Sequence, residues 1–132
     1  MKEITAHADI MQLVSSFYSR IRKHETLGPI FNTILPTDAI WEKHLEKLTD
    51  FWETNLFHII KFKGNPMEAY QRTDKANEYK ISQDHFYEWL MLWNKNIDSQ
   101  FFGEKAKLAK EKARRLSTHL FVNVQKKQTK NY

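Results

Sequence analysis

Helical spacing of apolar residues is the feature that most constrains the fold of this chain. Apolar side chains recur every three or four residues in four segments, near residues 8–22, 38–57, 83–102 and 104–122. Only three glycines and three prolines occur among the 132 residues, so few points exist at which a helix would break. No segment alternates between apolar and polar residues as a half-buried strand does. The sequence therefore predicts an all-α fold.

Local signals predict where these helices begin and end. The turn Leu27-Gly28-Pro29 is expected to end the first helix. Thr37 is expected to cap the second long helix and Ser82 the third, because a hydroxyl can accept a hydrogen bond from the first turn. Residues 61–82 are polar and contain Gly64-Asn65-Pro66, so they are predicted to form a loop with one or two helical turns.

Length and composition predict one domain over residues 1–132, with a core at about 8–122 and a basic C-terminal tail at 123–132. The chain has no cysteine, which excludes disulfides, thiolate metal sites and a cysteine nucleophile. No apolar run reaches the length of a membrane span, and the N-terminus lacks the apolar core of a signal peptide. We therefore expect a cytoplasmic protein that does not enter a membrane.

The net charge of +5 is unevenly distributed along the chain. Residues 105–132 contain nine Lys or Arg and one Glu, a local charge of +8, so residues 1–104 carry −3. A basic segment can bind nucleic acid or an anionic membrane. Aromatic residues are not interleaved with these charges as a base-stacking surface requires. We interpret the segment as a solvated helix face with a frayed tail, and expect neither a nucleic-acid nor a membrane partner.

The inner faces of the predicted helices are rich in aromatic residues. Aromatic side chains make up 14% of the chain. Those at inward positions are Phe17, Phe31, Trp41, Phe51, Trp52, Phe86, Trp89 and Trp93. Such a set can enclose a flat apolar ligand, but an aromatic stripe at helical spacing is more often plain core. Composition alone therefore favours a core over a cofactor pocket.

Several short motifs follow one another along the chain in a fixed order. They are Phe17-Tyr18 with Leu27-Gly28-Pro29-Ile30-Phe31-Asn32, then Trp41-Glu42-Lys43-His44 with Phe51-Trp52, then Gly64-Asn65-Pro66-Met67, then His85-Phe86 with Trp89-Leu90 and Trp93. Each is weak alone, but their order and spacing over residues 8–122 resemble the group III truncated haemoglobins, globins of bacterial type. The resemblance implies a globin-like, two-over-two helical sandwich around one b-type haem that binds oxygen or nitric oxide.

The resemblance also implies roles for individual residues. Tyr18, His44 and Trp89 correspond to the distal side of the haem, where a phenol, an imidazole or an indole can donate a hydrogen bond to a bound ligand. The other pocket residues it implies are Phe31, Leu48, Trp52 and Trp93. Without the resemblance, Tyr18 would be taken for the edge of a core, His44 for a core histidine and Trp89 for packing. We expect the distal residues to lie in one shared cavity or cluster.

Tyr70 stands where the family carries the histidine that binds the haem iron. A tyrosine can bind haem iron as phenolate, which favours ferric iron and needs a nearby positive charge, for which Arg72 is the candidate. His85 is the second candidate ligand, because it lies one turn before Trp89, although an exposed position in the first helical turn is its ordinary interpretation. Three hypotheses stay open: haem binds through Tyr70, haem binds through His85 or only weakly, or the protein binds no haem.

The expected function is that of a truncated-haemoglobin-like protein for a small diatomic ligand or for haem redox chemistry, with an altered proximal site. The alternative is a haem-free globin-fold binding or sensor module that has lost its iron ligand. A reductase is the expected protein partner, and the expected oligomeric state is a monomer or weak dimer. No catalytic residue is assigned, and whether the protein is an enzyme stays open, with dioxygenase- or peroxidase-like haem activity as the candidates.

Overall fold

The computed structural model describes residues 1–58 and 82–130, with the side chains of all of them except residue 34 and residues 123–130. Helices dominate this part of the chain, as the periodicity predicts. In chain order the elements are β1 (Lys2–Glu3), α1 (His7–Lys23), α2 (Leu27–Ile34), α3 (Asp38–Phe57), α4 (Gln83–Asp98), β2 (Phe101–Phe102) and α5 (Glu104–Lys130). The all-α prediction is confirmed.

The prediction that no segment forms a strand is wrong at two dipeptides. β1 and β2 pair in parallel, with Lys2 opposite Phe101 and Glu3 opposite Phe102. Gly103 follows with φ of +94°, a conformation that side chains rarely adopt, and a Cβ atom there would lie 2.7 Å from Glu3 Oε1. Two residues are too few to show alternation, and the pairing joins opposite ends of the sequence, so no local pattern could have indicated it.

Helix α1 is central to the core and carries the predicted apolar stripe on its buried face. The stripe residues, each 0% exposed, are Ile10, Leu13, Val14, Phe17 and Ile21. Helices α2, α3 and α4 all pack against α1, and α5 packs against α4 and α3. The predicted stripe is therefore buried along one face of α1, as the 3.6-residue helical period requires.

The junction between α1 and α2 differs from the prediction by a few residues. Helix α1 ends at Lys23, and the residues Leu27-Gly28-Pro29 form the first turn of α2 rather than a break. His24 Nδ1 accepts hydrogen bonds from the N–H groups of Thr26 and Leu27, both at 3.1 Å, and so takes the place of a capping side chain. A Cβ atom on Gly28 would lie 2.7 Å from the Arg22 carbonyl oxygen, so glycine allows the close approach of the two helices.

The remaining boundaries follow local chemistry. Thr37 Oγ1 accepts a hydrogen bond from Ile40 N–H at 3.3 Å, as predicted. Helix α4 ends at Asp98 and not at residue 102, and α5 continues to Lys130, beyond the predicted end at residue 122. The predicted loop at 61–82 lies outside the described residues apart from Ser82. Among the helices that are described, none is long and apolar enough to cross a membrane.

Candidate functional site

A continuous set of ring contacts runs through the centre of the core. We refer to it as the ring cluster, which comprises Phe17, Tyr18, Phe31, Trp41, His44, Trp52, Trp89 and Trp93. Phe17 is its hub, because its ring meets Tyr18 at 4.8 Å, Trp93 at 5.0 Å and Trp89 at 5.5 Å between centroids. All three contacts are edge to face, the arrangement that aromatic quadrupoles favour.

Tyr18 and His44 lie together in one half of the ring cluster. Their ring centroids are 5.8 Å apart, and Trp41 contacts both, at 5.8 Å from Tyr18 and 5.7 Å from His44. Phe31 lies 6.0 Å from Tyr18 on the side of α2. Tyr18 is 2% exposed. The structure therefore brings the first two distal candidates, one from α1 and one from α3, into direct contact.

Three tryptophans form the other half of the ring cluster. Trp89 and Trp93 lie one turn apart on α4 and their rings are stacked, with centroids 6.0 Å apart and planes 2° apart. Trp52 of α3 stacks on Trp93 at 4.6 Å. Through Phe17, the three tryptophans join the half that contains Tyr18. The predicted pocket residues Phe31, Trp52, Trp89 and Trp93 are thus brought together with Tyr18 and His44.

Leu48, the remaining predicted pocket residue, lies on α3 about one turn after His44. It is half-buried and packs against the same core as the ring cluster. It therefore supplies an apolar contact beside the histidine.

Two buried N–H groups of the ring cluster have no hydrogen-bond acceptor in the described part of the chain. They belong to the indoles of Trp41 and Trp89, which are 2% and 6% exposed. Leaving such a donor unpaired costs about 1–3 kcal/mol. Trp93, by contrast, donates to the Ala109 carbonyl oxygen at 3.2 Å. The unpaired indoles are therefore candidates to bind an acceptor that the described residues do not supply.

His44 is a titratable group of the ring cluster whose pKa is strongly perturbed. Burial lowers the pKa of the His44 imidazole to about 4, and the positive charge of Lys47 adds to the effect. The ring is therefore neutral at pH 7, with one nitrogen as donor and the other as acceptor. No hydrogen bond to His44 occurs within residues 1–58 and 82–130, so neither ring nitrogen is engaged by this part of the chain.

The candidate iron ligands cannot both be located. Tyr70 and the neighbouring Arg72 lie outside the described residues. His85 is half-buried in the first turn of α4, where its Nδ1 atom accepts a hydrogen bond from Ser82 N–H at 2.9 Å. Ser82 thus occupies the position before the helix, as predicted. The acceptor of this hydrogen bond, however, is the His85 ring and not the Ser82 hydroxyl. His85 makes no ring contact with the ring cluster among the described residues.

Trp41 is the site residue whose importance sequence reasoning missed. The sequence placed it among the aromatic residues but not among the pocket residues. Trp41 precedes His44 by three residues, so the two share one helix face, and this spacing was a signal that could have found it. Nothing in the sequence indicated that its N–H would lack an acceptor, because that depends on what surrounds it.

Comparisons with known proteins bear on what this site is for. No protein-family model matches the chain. The chain is 27% identical over 111 residues to a curated Campylobacter jejuni protein named group 3 truncated hemoglobin ctb. The aligned region covers 83% of this chain and 84% of that protein. It also superposes on the crystal structure of a group III truncated hemoglobin from Campylobacter jejuni with a TM-score of 0.82 and 25% identity, covering 94% and 95% of the two chains. The similarity extends over nearly the whole length of each protein.

Proposed function

The chain belongs to the group III truncated haemoglobin family, and we propose that it is a globin-type protein that holds haem b and binds oxygen or nitric oxide beside Tyr18, His44 and Trp89. One observation carries the proposal. The buried indole N–H of Trp89 has no acceptor among the described residues, and it lies in the same ring cluster as Tyr18 and His44. A buried donor without a partner is what a site for a small polar ligand requires before the ligand arrives.

The residues of the ring cluster fit such a cofactor. The rings of Phe31 and Trp52 would form apolar walls for it, and Leu48 would add an aliphatic contact. Haem, when bound, supplies an iron centre that can hold a diatomic ligand and change its oxidation state. The chain itself supplies the apolar walls and the hydrogen-bond donors.

Three side chains of this chain would act on the ligand. Trp89 donates through an N–H that has no competing acceptor in the described structure. His44 is neutral at pH 7 because its pKa is about 4, so it can donate a hydrogen bond without adding a positive charge. The phenol of Tyr18 is a further donor in contact with His44. In a buried site each such bond is stronger than in water.

On the proximal side we propose Tyr70 as the iron ligand, with His85 as the alternative. The motivation for Tyr70 is its position in the family pattern, and its phenolate would favour ferric iron. His85 ranks second because its ring already accepts a hydrogen bond from Ser82 N–H at the start of α4. Haem redox chemistry would then need a reductase as partner, and we propose a cytoplasmic protein that acts as a monomer or weak dimer.

The test is the absorption spectrum and haem stoichiometry of the full chain expressed with ample haem. We expect one haem per chain, predominantly ferric and slow to reduce. Tyr70→Phe should abolish the phenolate-to-iron charge-transfer band, and Tyr70→His should give a reducible haem that binds oxygen or carbon monoxide. Tyr87→Phe is the matched control, because Tyr87 is 62% exposed on the outer face of α4.

Two results would change the assignment. Equal haem binding and identical spectra for the wild type and Tyr70→Phe would show that Tyr70 is not the ligand, and His85→Ala would then be the next variant. Failure of the wild type to take up haem, together with uptake by Tyr70→His, would overturn the proposal in favour of a haem-free module.

A further inference from the structure

A cleft of about 590 Å³ lies where α1 meets α2 and the start of α3, and the proposed function assigns it no ligand, although Tyr18 borders both. We call it the α1–α3 cleft. Its volume falls within the range of about 300–1,000 Å³ that is typical of small-molecule sites. Leu45 supplies half-buried aliphatic surface, and Tyr18 and Trp41, each 2% exposed, reach the cleft only at their edges. Ser15, Ser19 and Lys23 supply polar groups. The cleft is therefore amphipathic.

The charges that line the α1–α3 cleft are positive. Arg22 and Lys23 line it, and among the described residues no carboxylate does. Arg22 is already engaged, because its guanidinium lies 2.9 Å from Asp38 Oδ1 and 5.0 Å from the centroid of the Trp41 ring. Lys23 has no ion pair within the described part of the chain and is exposed at the rim. The cleft thus offers one uncompensated positive charge.

The hydroxyl groups of Ser15 and Ser19 add donors beside that charge. Both serines line the cleft about one helical turn apart on α1, and neither makes a side-chain hydrogen bond within the residues that are described. One ammonium group and two hydroxyl groups suit a singly charged carboxylate, since a hydrogen bond from a charged donor is about twice as strong as a neutral one. A phosphate dianion would call for a second free cation, which Arg22 does not provide.

We propose that the α1–α3 cleft binds a small monocarboxylate that carries an aromatic or aliphatic body. The carboxylate pairs with Lys23 and accepts hydrogen bonds from the two serines. The apolar body packs against Leu45 and the edges of Tyr18 and Trp41. Because Tyr18 and Trp41 also belong to the ring cluster, an occupant of the cleft contacts the same rings that border the proposed ligand site.

The test is calorimetric titration of the full chain, as purified, with 3-phenylpropionate. We expect one site per chain. The neutral alcohol 3-phenylpropanol, which has the same body, should bind about tenfold more weakly because it lacks the charge. Acetate, which has the charge without the body, should also bind at least about tenfold more weakly because it buries almost no apolar surface.

Variants locate the site. Lys23→Gln should weaken binding of 3-phenylpropionate about five- to tenfold, since it removes the charge-assisted bond at a partly hydrated position. Lys47→Gln is the matched control, because Lys47 is an exposed lysine outside the cleft, and it should leave the affinity unchanged. Ser19→Trp places a large side chain at an exposed rim position and should abolish binding without disturbing the core. Nuclear magnetic resonance should show amide shifts at Ser15, Ser19 and Lys23.

Several outcomes would overturn the proposal. One is the absence of 3-phenylpropionate binding, and another is equal affinity for 3-phenylpropanol. Equal effects of Lys23→Gln and Lys47→Gln would exclude a specific role for Lys23. Unchanged binding by Ser19→Trp would place the ligand elsewhere, and tighter binding of inorganic phosphate would assign the cleft to another class of anion.

Discussion

At one end of the interface between α1 and α4, Asn96 is fully buried and uses both ends of its amide. Its Nδ2 atom donates to the Leu13 carbonyl oxygen at 3.2 Å and to Ser16 Oγ at 3.0 Å, while its Oδ1 atom accepts from Gln100 Nε2 at 3.0 Å. Toward the other end, Trp89 buries an indole N–H that has no acceptor among the described residues. The same pair of helices therefore contains one satisfied polar network and one open donor.

The difference separates groups that hold the fold from groups that are available for function. A buried polar group that is fully bonded stabilises one arrangement of the helices. A buried donor without a partner destabilises the protein by about 1–3 kcal/mol, so its retention calls for an explanation beyond packing. Trp93 and Trp89 show the contrast within one helix, since their rings are stacked but only Trp93 has an acceptor, the Ala109 carbonyl oxygen.

The largest expected effect is the loss of the satisfied network. Asn96→Ala removes three hydrogen bonds from a fully buried position, and we expect the free energy of unfolding to fall by about 3 kcal/mol. Asn94→Ala is the matched control on the same helix, because Asn94 Oδ1 is buried without a partner in the described part of the chain. It should cost less than about 1 kcal/mol. Urea unfolding of both variants measures the difference. Equal losses of unfolding free energy would show that a fully bonded buried amide and an unpaired one contribute alike to stability.

A smaller effect is expected within the tryptophan pair. Trp93→Phe loses ring area and the hydrogen bond to Ala109, and we expect it to lower the free energy of unfolding by about 2 kcal/mol. Trp89→Phe loses similar area but no hydrogen bond that the structure shows, so its cost should be smaller by about 1 kcal/mol. Both values come from urea unfolding in the absence of added ligand. A larger loss for Trp89→Phe would mean that its N–H is already bonded.

At neutral pH the smallest effect is expected from His44, whose contribution to the free energy of unfolding changes only as the pH falls below about 6.5. The pKa of His44 is about 4 in the folded protein, whereas an unfolded histidine titrates near 6.5. Between these values the unfolded chain binds a proton that the folded chain does not. The contribution of His44 is therefore fully present above about pH 6.5 and is lost as the pH falls toward 4.

His44→Gln should remove that part of the pH dependence of unfolding. Titration of the His44 ring protons by nuclear magnetic resonance checks the cause independently. A ring that titrates near 6.5 in the folded protein would show that His44 is hydrated and does not belong to a buried site.

Sequence periodicity predicted the parts of the fold that local spacing controls. The stripe on α1 and the capping role of Thr37 are both set within a few residues, and both are as predicted. The end of α4 was misplaced because Ile97 and Phe101 are both buried, so the apolar spacing continues past Asp98 although the backbone turns. Phe101 lies in β2, which pairs with the N-terminus, remote in sequence, and packs against α4 and α5.

The sequence could propose which residues form the candidate site, but it could not indicate the hydrogen-bonding state of those residues. The family resemblance brought Tyr18, His44 and Trp89 to one site, which helical spacing alone could not do because they lie on three different helices. The hydrogen bond of Trp93 to α5 and the missing acceptors of Trp41 and Trp89 depend on which backbone carbonyls lie nearby. Such distances are properties of the packed structure and leave no local pattern in the sequence.

The most direct test of the central claim is the rate at which nitric oxide leaves the haem-loaded protein, in the wild type, Trp89→Phe and Trp93→Phe. Nitric oxide suits the purpose because it binds both ferrous and ferric haem. If Trp89 donates its free N–H to the ligand, Trp89→Phe should release nitric oxide about five- to tenfold faster, the equivalent of one hydrogen bond of about 1 kcal/mol or slightly more. Trp93→Phe should leave the rate unchanged, because its N–H is bound to Ala109. An unchanged rate in Trp89→Phe, or an equal increase in both variants, would contradict the assignment of Trp89 as the donor to the ligand.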